Sequence, residues 1–98
     1  MMAVTVLVEL HIKADQIDNV RSLFASLLHE TRGRDGNLGV TVHQDVDDLL
    51  TVILIEKWNQ RKSYEIYNRW RMERGDLATL TALLERPPTR RFLGHIGV

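Results

Sequence analysis

The chain has 98 residues, of which 44% are hydrophobic and 27% are charged, and its formal net charge is zero. This length suits one domain, predicted to span residues 1–98, and the composition is typical of a soluble globular protein. A neutral chain lacks the basic footprint of most nucleic-acid-binding proteins, and the absence of cysteine excludes disulfides, thiolate metal sites and cysteine nucleophiles.

The N-terminal segment is predicted to be a strand and not a targeting signal. Val4, Val6, Val8, Leu10 and Ile12 alternate with mainly polar residues at the two-residue period of a strand. The segment has no basic start and no small-residue cleavage site, and no apolar run approaches the roughly 18 residues of a membrane span. We therefore expect a cytoplasmic protein without a membrane partner.

A first helix is predicted over residues 16–31, where Ile17, Phe24 and several leucines recur at helical spacing. Asp15 is a candidate N-cap, and Gly33 is a natural C-terminal stop. Two strands follow at residues 40–43 and 50–58. An acidic turn joins them, so they are predicted to form an antiparallel hairpin.

A second helix in two pieces and a last strand complete the chain. Asn59 can cap the second helix, which breaks at residues 74–76. Asp76 can cap the short leucine-rich piece that follows, and the proline pair at residues 87–88 ends it. Residues 89–98 are predicted to be the last strand.

This order of elements predicts an α+β fold, a ferredoxin-like βαββαβ subunit with a four-stranded antiparallel sheet and helices on one face. The opposite face would carry Leu7, Ile53 and Ile55 among polar residues. A half-apolar sheet surface is a liability in a monomer. Packing against the same face of a second copy would cover it, so we predict a homodimer.

A carboxylate and a tryptophan share one face near the end of the third strand. A buried Glu56 needs a partner or a raised pKa. We therefore expect either a salt bridge with an arginine of the second helix or a general base. Trp58 is either a core residue that wedges this helix onto the sheet or a wall of a pocket, and its indole N–H needs an acceptor if buried.

The second helix and the last strand supply further candidates for substrate binding. Tyr64 and Tyr67 are one helical turn apart and could line the same cleft. Trp70, Asn68 and His95 could also contact a ligand. Alternatively, Trp70 packs against the leucine helix, Asn68 faces water and His95 meets a neighbouring subunit.

Two histidines share the sheet face away from the helices. His11 and His43 on neighbouring strands could begin a metal site, but the sequence supplies no clear third ligand. No metal site is therefore predicted.

The chain resembles the antibiotic-biosynthesis monooxygenase (ABM) family over nearly its whole length. The resemblance rests on Gly36 before the second strand, the acidic turn at residues 45–48, Glu56-x-Trp58, and the motif P-P-T-x-x-F at residues 87–92. It implies a dimer whose two sheets form an α+β barrel, with a pocket between sheet and helices. It also implies an oxygenase of quinols or anthrones that uses O2 and needs no metal or flavin.

The chain departs from the family pattern at one position. The family often has a histidine nine residues after the tryptophan of E-x-W, where this chain has Tyr67. Haem-degrading relatives place an asparagine on strand one, where this chain has Val8 or a neighbour. They also use a histidine from the helical region, and this chain has none between Trp58 and His95. No haem is therefore expected.

These features lead to one main hypothesis and two alternatives. The main hypothesis is a cofactor-independent monooxygenase of a quinol, anthrone or similar small aromatic or polyketide substrate. Glu56 would be the base and Tyr67 the hydroxyl contact. The remaining predicted substrate-binding residues are Trp58, Tyr64, Trp70, Asn68 and His95. The alternatives are a small-metabolite isomerase and a non-catalytic ligand-binding dimer on the same fold.

Overall fold

A computed structural model of the chain describes residues 2–98 and contains seven elements. They are β1 (Val4–His11), α1 (Ile17–Arg32), β2 (Asn37–Gln44), β3 (Thr51–Trp58), α2 (Arg61–Glu73), α3 (Asp76–Thr81) and β4 (Thr89–Leu93). The strands form one sheet in the order β2-β3-β1-β4, and all neighbouring strands are antiparallel. This confirms the ferredoxin-like βαββαβ subunit.

Alternation along the strands places the core on one sheet face. Val6, Val8 and Leu10 of β1 are at most 4% exposed and belong to the same cluster as Phe24 and Leu28 of α1. Burial of this apolar surface is the main favourable contribution to folding. The candidate site lies within this layer, between sheet and helices.

The outer face of the sheet has the composition that the sequence predicts. Ile55 lies opposite Leu7 of β1, and Ile53 lies opposite Glu9 of β1 and His43 of β2. Directly paired residues project to the same side of a sheet. A band of half-buried apolar side chains therefore runs across this face among polar ones.

Gly36 lies between α1 and β2, at a position that only glycine fits well. Its φ of +85° lies in the left-handed region, and a Cβ there would come within 2.6 Å of the Asn59 and Ser63 side chains. Its carbonyl accepts a hydrogen bond from the Asn59 N–H at 2.8 Å. Glycine therefore lets the start of β2 approach the start of α2.

The predicted helix caps at Asp15, Asn59 and Asp76 are wrong. Asp15 has a φ of 70°, which aspartate tolerates in turns, and Gln16 occupies the cap position of α1. Gln60 precedes α2, while the Asn59 side chain accepts a hydrogen bond from a serine hydroxyl. Asp76 is the first residue of α3, and its carboxylate pairs with arginine side chains.

The last strand is shorter than predicted and ends at Leu93. Leu93 pairs with Thr5, and β1 itself begins at Val4. Gly94 would lie opposite Val4, the first residue of β1, so the register leaves room for only one further pair. Separately, none of the helices within residues 2–98 has the length and apolarity required to cross a bilayer.

Candidate active site beneath helix α2

The end of β3 buries a carboxyl group against an indole. Glu56 and Trp58 both face the helices and are 4% and 0% exposed. The Trp58 Nε1–H donates a hydrogen bond to Glu56 Oε1 at 3.0 Å. The indole therefore has the acceptor that its burial requires.

Burial changes the acidity of Glu56. Removal from water raises the pKa of this carboxyl group, since burial disfavours the charged form, and the Trp58 hydrogen bond and the charges of Arg90 and Arg71 only partly oppose this. The predicted salt bridge with an arginine of the second helix is wrong, since Glu56 forms no ion pair with any of residues 2–98. Its hydrogen-bond donor is instead two residues along its own strand.

Aromatic rings surround the Glu56–Trp58 pair. The Trp58 ring lies 4.9 Å from the Tyr67 ring and 6.0 Å from the Tyr64 ring, and Tyr64 meets Phe92 of β4 edge-on at 5.5 Å. Aromatic pairs at these distances stabilise the fold beyond the effect of the area that they bury. Both tyrosines are buried, and their rings lie 6.1 Å apart, so they face the same interior space.

The hydroxyl group of Tyr67 belongs to a hydrogen-bond network centred on Arg71. Arg71 Nε donates to the Tyr67 hydroxyl at 3.0 Å, and Thr31 Oγ1 lies 2.8 Å from the same hydroxyl. Thr31 directs its own proton to the Leu27 carbonyl oxygen at 3.1 Å. With Thr31 donating to the Leu27 carbonyl oxygen, the Tyr67 hydroxyl is the donor of the Tyr67–Thr31 hydrogen bond, and its proton is not directed into the cavity.

Tyr64 has a simpler environment. Arg90 Nε donates to its hydroxyl oxygen at 2.7 Å, and no acceptor for the Tyr64 proton is found among residues 2–98. Burial raises the pKa of Tyr64 to about 12 despite the nearby arginine, so the phenol keeps its proton at neutral pH. Burial likewise raises the pKa of Tyr67.

These groups line a small cavity between the sheet, α1, α2 and α3. Its volume is about 50 Å³. Its polar lining consists of Glu56, Tyr64, Tyr67, Asn68, Arg71, Asp76 and Arg90. A cavity of this size holds water-sized molecules and not an aromatic ring system.

Three predicted substrate-binding residues do not line the cavity. Trp58 lies behind the two tyrosines. Trp70 packs beside Tyr67, and the guanidinium groups of Arg34, Arg71 and Arg74 lie 4.0–4.7 Å from its ring. The third, His95, follows β4, is exposed and accepts a hydrogen bond from a nearby backbone N–H.

Sequence reasoning missed the two arginines of the cavity. Arg90 pairs with Val8 and therefore points toward the helices, two residues before the partly buried Phe92. An arginine at an inward strand position is a signal that period-two alternation could have revealed. Arg71 is one turn beyond Tyr67, but an arginine on a helix is usually solvated, so its burial left no clear signal.

The histidines of the outer face have local partners. His11 Nε2 lies 2.9 Å from a carboxylate oxygen of Glu9, and His43 Nε2 lies 2.9 Å from the Thr41 hydroxyl. Both interactions are between residues two apart on one strand. Neither histidine contributes to the cavity.

The ferredoxin-like βαββαβ fold places this chain in a class of small α+β proteins. The family model for antibiotic biosynthesis monooxygenase matches residues 3–73, and the chain belongs to this family. No curated protein matches the chain by sequence.

Several solved structures share the fold. A conserved protein from Methanosarcina mazei Go1 has a TM-score of 0.88 at 19% identity, covering 96% of this chain and 93% of its own. An antibiotic biosynthesis monooxygenase has a TM-score of 0.85 at 22% identity, with coverages of 95% and 98%. A monooxygenase from the gene ActVA-Orf6 of Streptomyces coelicolor, in complex with the ligand nanaomycin D, has a TM-score of 0.82 at 20% identity, with coverages of 99% and 90%.

Proposed function

We propose that this protein is a cofactor-independent monooxygenase of a quinol, anthrone or similar small aromatic substrate, and that it works in the cytoplasm. One observation carries the proposal. The buried carboxyl group of Glu56, whose pKa is raised, lines the same cavity as Tyr64 and Tyr67, and each tyrosine hydroxyl accepts a hydrogen bond from an arginine. Such perturbed groups cluster at functional sites. The family and the nanaomycin D complex of a structural neighbour support this choice of chemistry.

The reaction requires a base and an electron-rich substrate. Glu56 removes a proton from the substrate, and the resulting anion transfers electrons to O2. For an anthrone, the methylene carbon loses two hydrogens and gains one oxygen atom, and the second oxygen atom leaves with those hydrogens as water. The substrate supplies all the electrons, so we expect neither a metal nor a flavin to be needed.

The hydrogen-bond network assigns different roles to the two tyrosines. Tyr64 retains a free proton, so it donates to the negative charge that develops on the substrate oxygen. Tyr67 uses its proton on Thr31 and keeps only a lone pair for a substrate hydroxyl. The arginines fix both phenol rings in place.

This assignment predicts unequal effects of two matched substitutions. Tyr64→Phe is expected to lower kcat by about 10²-fold, the loss typical of one donor to a developing oxyanion. Tyr67→Phe removes no donor to the cavity, so we expect a change in kcat below about ten-fold and a lower melting temperature. Steady-state oxygen uptake and thermal unfolding of both variants distinguish these effects, and the reverse order of kcat losses would refute the assignment.

Oxygen uptake tests the function itself. Purified protein, treated with a chelator, is incubated with a panel of quinols and anthrones, and we expect one O2 to be consumed per product without release of hydrogen peroxide. Absence of turnover across the panel would sink the proposal. Turnover of a substrate that persists without O2 would identify an isomerase instead.

The small volume of the cavity favours a second candidate, a dimer without catalysis that binds its ligand outside this cavity. A cavity of about 50 Å³ is far below the roughly 300 Å³ at the low end of small-molecule sites. A ring system must therefore displace side chains or extend beyond the cavity. Tight binding of an aromatic ligand without any product would establish this candidate.

The outer face of the sheet supports a homodimer. Leu7, Ile53 and Ile55 leave half-buried apolar surface there, and a two-fold contact between sheets would cover it. We expect light scattering to give twice the subunit mass of 11.3 kDa. Ile55→Glu should produce a single subunit, whereas Lys62→Glu on an exposed part of α2 should not; a wild-type protein that runs as one subunit would contradict the dimer.

A further inference from the structure

The outer surface of α2 carries two shallow hollows in addition to the cavity beneath this helix. One, of about 260 Å³, lies between α2 and the segment that follows α1, and the other, of about 240 Å³, lies along α2 itself. Ile66 lines both hollows and is 57% exposed, so its apolar side chain stands between them. Together with Arg34, Lys62, Glu65 and Arg69, it forms the outer face of α2.

Positive charge surrounds Ile66 on this outer face. Lys62 and Arg69 lie one helical turn before and after it, are exposed and form no ion pair within residues 2–98. The two linings together contain three basic residues and two acidic ones, and one of the acidic residues, Glu65, lies 3.5 Å from Arg61. The outer face of α2 is therefore apolar at its centre and positively charged around it.

The turn between β2 and β3 has the opposite charge pattern and a fixed shape. Val46 at its tip is 87% exposed and lies in sequence between Asp45 and Asp47. Asp45 Oδ1 accepts hydrogen bonds from the N–H groups of Asp47 and Asp48 at 2.8 and 3.2 Å, and the Thr51 hydroxyl donates to Asp48 Oδ2 at 2.7 Å. These bonds hold the turn in one conformation, so docking it costs little conformational entropy.

We propose that the β2–β3 turn of a second copy of this chain docks on the outer face of α2. Val46 packs into the hollows beside Ile66, and the Asp47 carboxylate contacts Lys62 and Arg69. Asp47 forms no ion pair within its own chain over residues 2–98, so it is available for this contact. An apolar side chain beside a negative charge thereby meets an apolar side chain beside positive charges.

The charge distribution of the chain identifies a second copy as the partner. Residues 1–56 contain nine acidic and four basic side chains, whereas residues 57–98 contain four acidic and nine basic ones. The two complementary surfaces therefore belong to the same chain. Because they are different surfaces, each copy uses both, and the contact links copies into rings or chains. It leaves the outer face of the sheet uncovered, so it can join the proposed homodimers to one another.

Sedimentation equilibrium at several protein concentrations tests this association. The contact is small and charged, so we expect it in about 0.01 M salt, where the Debye length is about 30 Å, and not in about 1 M salt, where it is about 3 Å. The mean mass should exceed that of the dimer only at low salt and should rise with protein concentration. A wild type that keeps the dimer mass at both salt concentrations would overturn the proposal.

The same measurement separates this contact from the dimer through the sheets. Ile55→Glu, which should break the sheet dimer, should still associate at low salt, now from single subunits. Loss of low-salt association in this variant would show that the extra mass comes from the sheet face and would reject the docking of the turn on α2.

Charge reversal tests the residues of the contact. Asp47→Lys, or Lys62→Glu combined with Arg69→Glu, should lower the association constant at least about ten-fold, because like charges then face each other. A variant with all three substitutions should regain association. Glu85→Lys, an exposed substitution away from both surfaces, makes the same change in net charge as Asp47→Lys and is the matched control. An equal loss in Glu85→Lys, or no recovery in the triple variant, would contradict the proposed contact.

A disulfide provides a geometric test, because the chain contains no cysteine. Val46→Cys and Ile66→Cys proteins are mixed at low salt and oxidised, and mass spectrometry identifies the disulfide that joins the two variants. We expect it to form at several times the yield of the disulfide between Glu85→Cys and Ile66→Cys proteins. Equal yields in the two mixtures would mean that Val46 does not dock beside Ile66.

Discussion

Replacing Glu56 with glutamine is expected to lower kcat by about 10²–10⁴-fold, the usual contribution of a positioned general base. The amide has the same shape as the carboxyl group, and its oxygen can still accept the hydrogen bond from Trp58 Nε1. The fold should therefore survive, and the loss should report on proton removal. Oxygen uptake by the wild type and the variant measures it.

The pH dependence of activity provides a sharper test. Because burial raises the pKa of Glu56, kcat/KM of the wild type should rise with pH through an ionisation above the ordinary value of 4.5. The glutamine variant should lack this ionisation in its residual activity. Glu73→Gln, an exposed change on α2, should keep both the rate and the profile.

The same carboxyl group predicts a change in stability with pH. Its folded-state pKa exceeds its unfolded-state value, so the folded protein holds this proton more tightly. The resulting stability is fully present below the unfolded pKa and is lost as pH rises through the folded pKa. Melting temperatures across this range should fall less steeply with pH in Glu56→Gln than in the wild type.

A Glu56→Gln variant with wild-type activity and the wild-type pH profile of activity would show that Glu56 is only a buried hydrogen-bond acceptor.

Alternation and helical spacing predicted the fold because each is a local consequence of burial. Parity along β3 placed Glu56 and Trp58 on the helix-facing side, and the register confirms this. The predicted arginine partner of Glu56 is wrong, and the Trp58 indole takes its place, since the choice between the two depends on side-chain rotamers. Trp70 was also misleading, because three arginines cover its ring at the outer side of α2.

Charge patterns were the least informative part of the sequence. Arg71 and Arg74 are both arginines near the end of α2, yet the side chain of Arg71 is 2% exposed and that of Arg74 is 42% exposed. Only the packing of α1 and α3 around this end of α2 distinguishes them. The sequence therefore predicts the aromatic cluster, but the arginines that hold it in place are identified only by their tertiary contacts.

Loss of Arg71 should strongly destabilise the fold. Its guanidinium group donates five hydrogen bonds that join α1, α2 and α3. The acceptors are the Tyr67 hydroxyl, the Glu30 and Asp76 carboxylates, the Leu27 carbonyl oxygen and the Thr31 hydroxyl. Removing the donor leaves buried acceptors without hydrogen bonds. This lowers the free energy of unfolding more than replacing all the partners by apolar groups would.

Arg71→Met is therefore expected to lower the free energy of unfolding by about 3 kcal/mol, the low end for a broken buried ion pair. We take the low end because the Glu30 side chain is 36% exposed and water can replace part of the lost interaction. For a domain of this size, the melting temperature should fall by roughly 12–24 °C. Chemical denaturation and calorimetry measure both quantities.

Arg74→Met is the matched control for this prediction. Arg74 contacts the same two carboxylates, at 2.9 and 3.4 Å, and the same Trp70 ring, but it is exposed. Exposed ion pairs contribute at most about 1 kcal/mol, so this variant should stay near the wild type. Equal losses in the two variants would mean that the surface charges stabilise this end of α2. A loss confined to Arg71→Met would locate the stabilisation in the buried bonds to Tyr67 and Thr31, the same bonds that direct the Tyr67 proton away from the cavity.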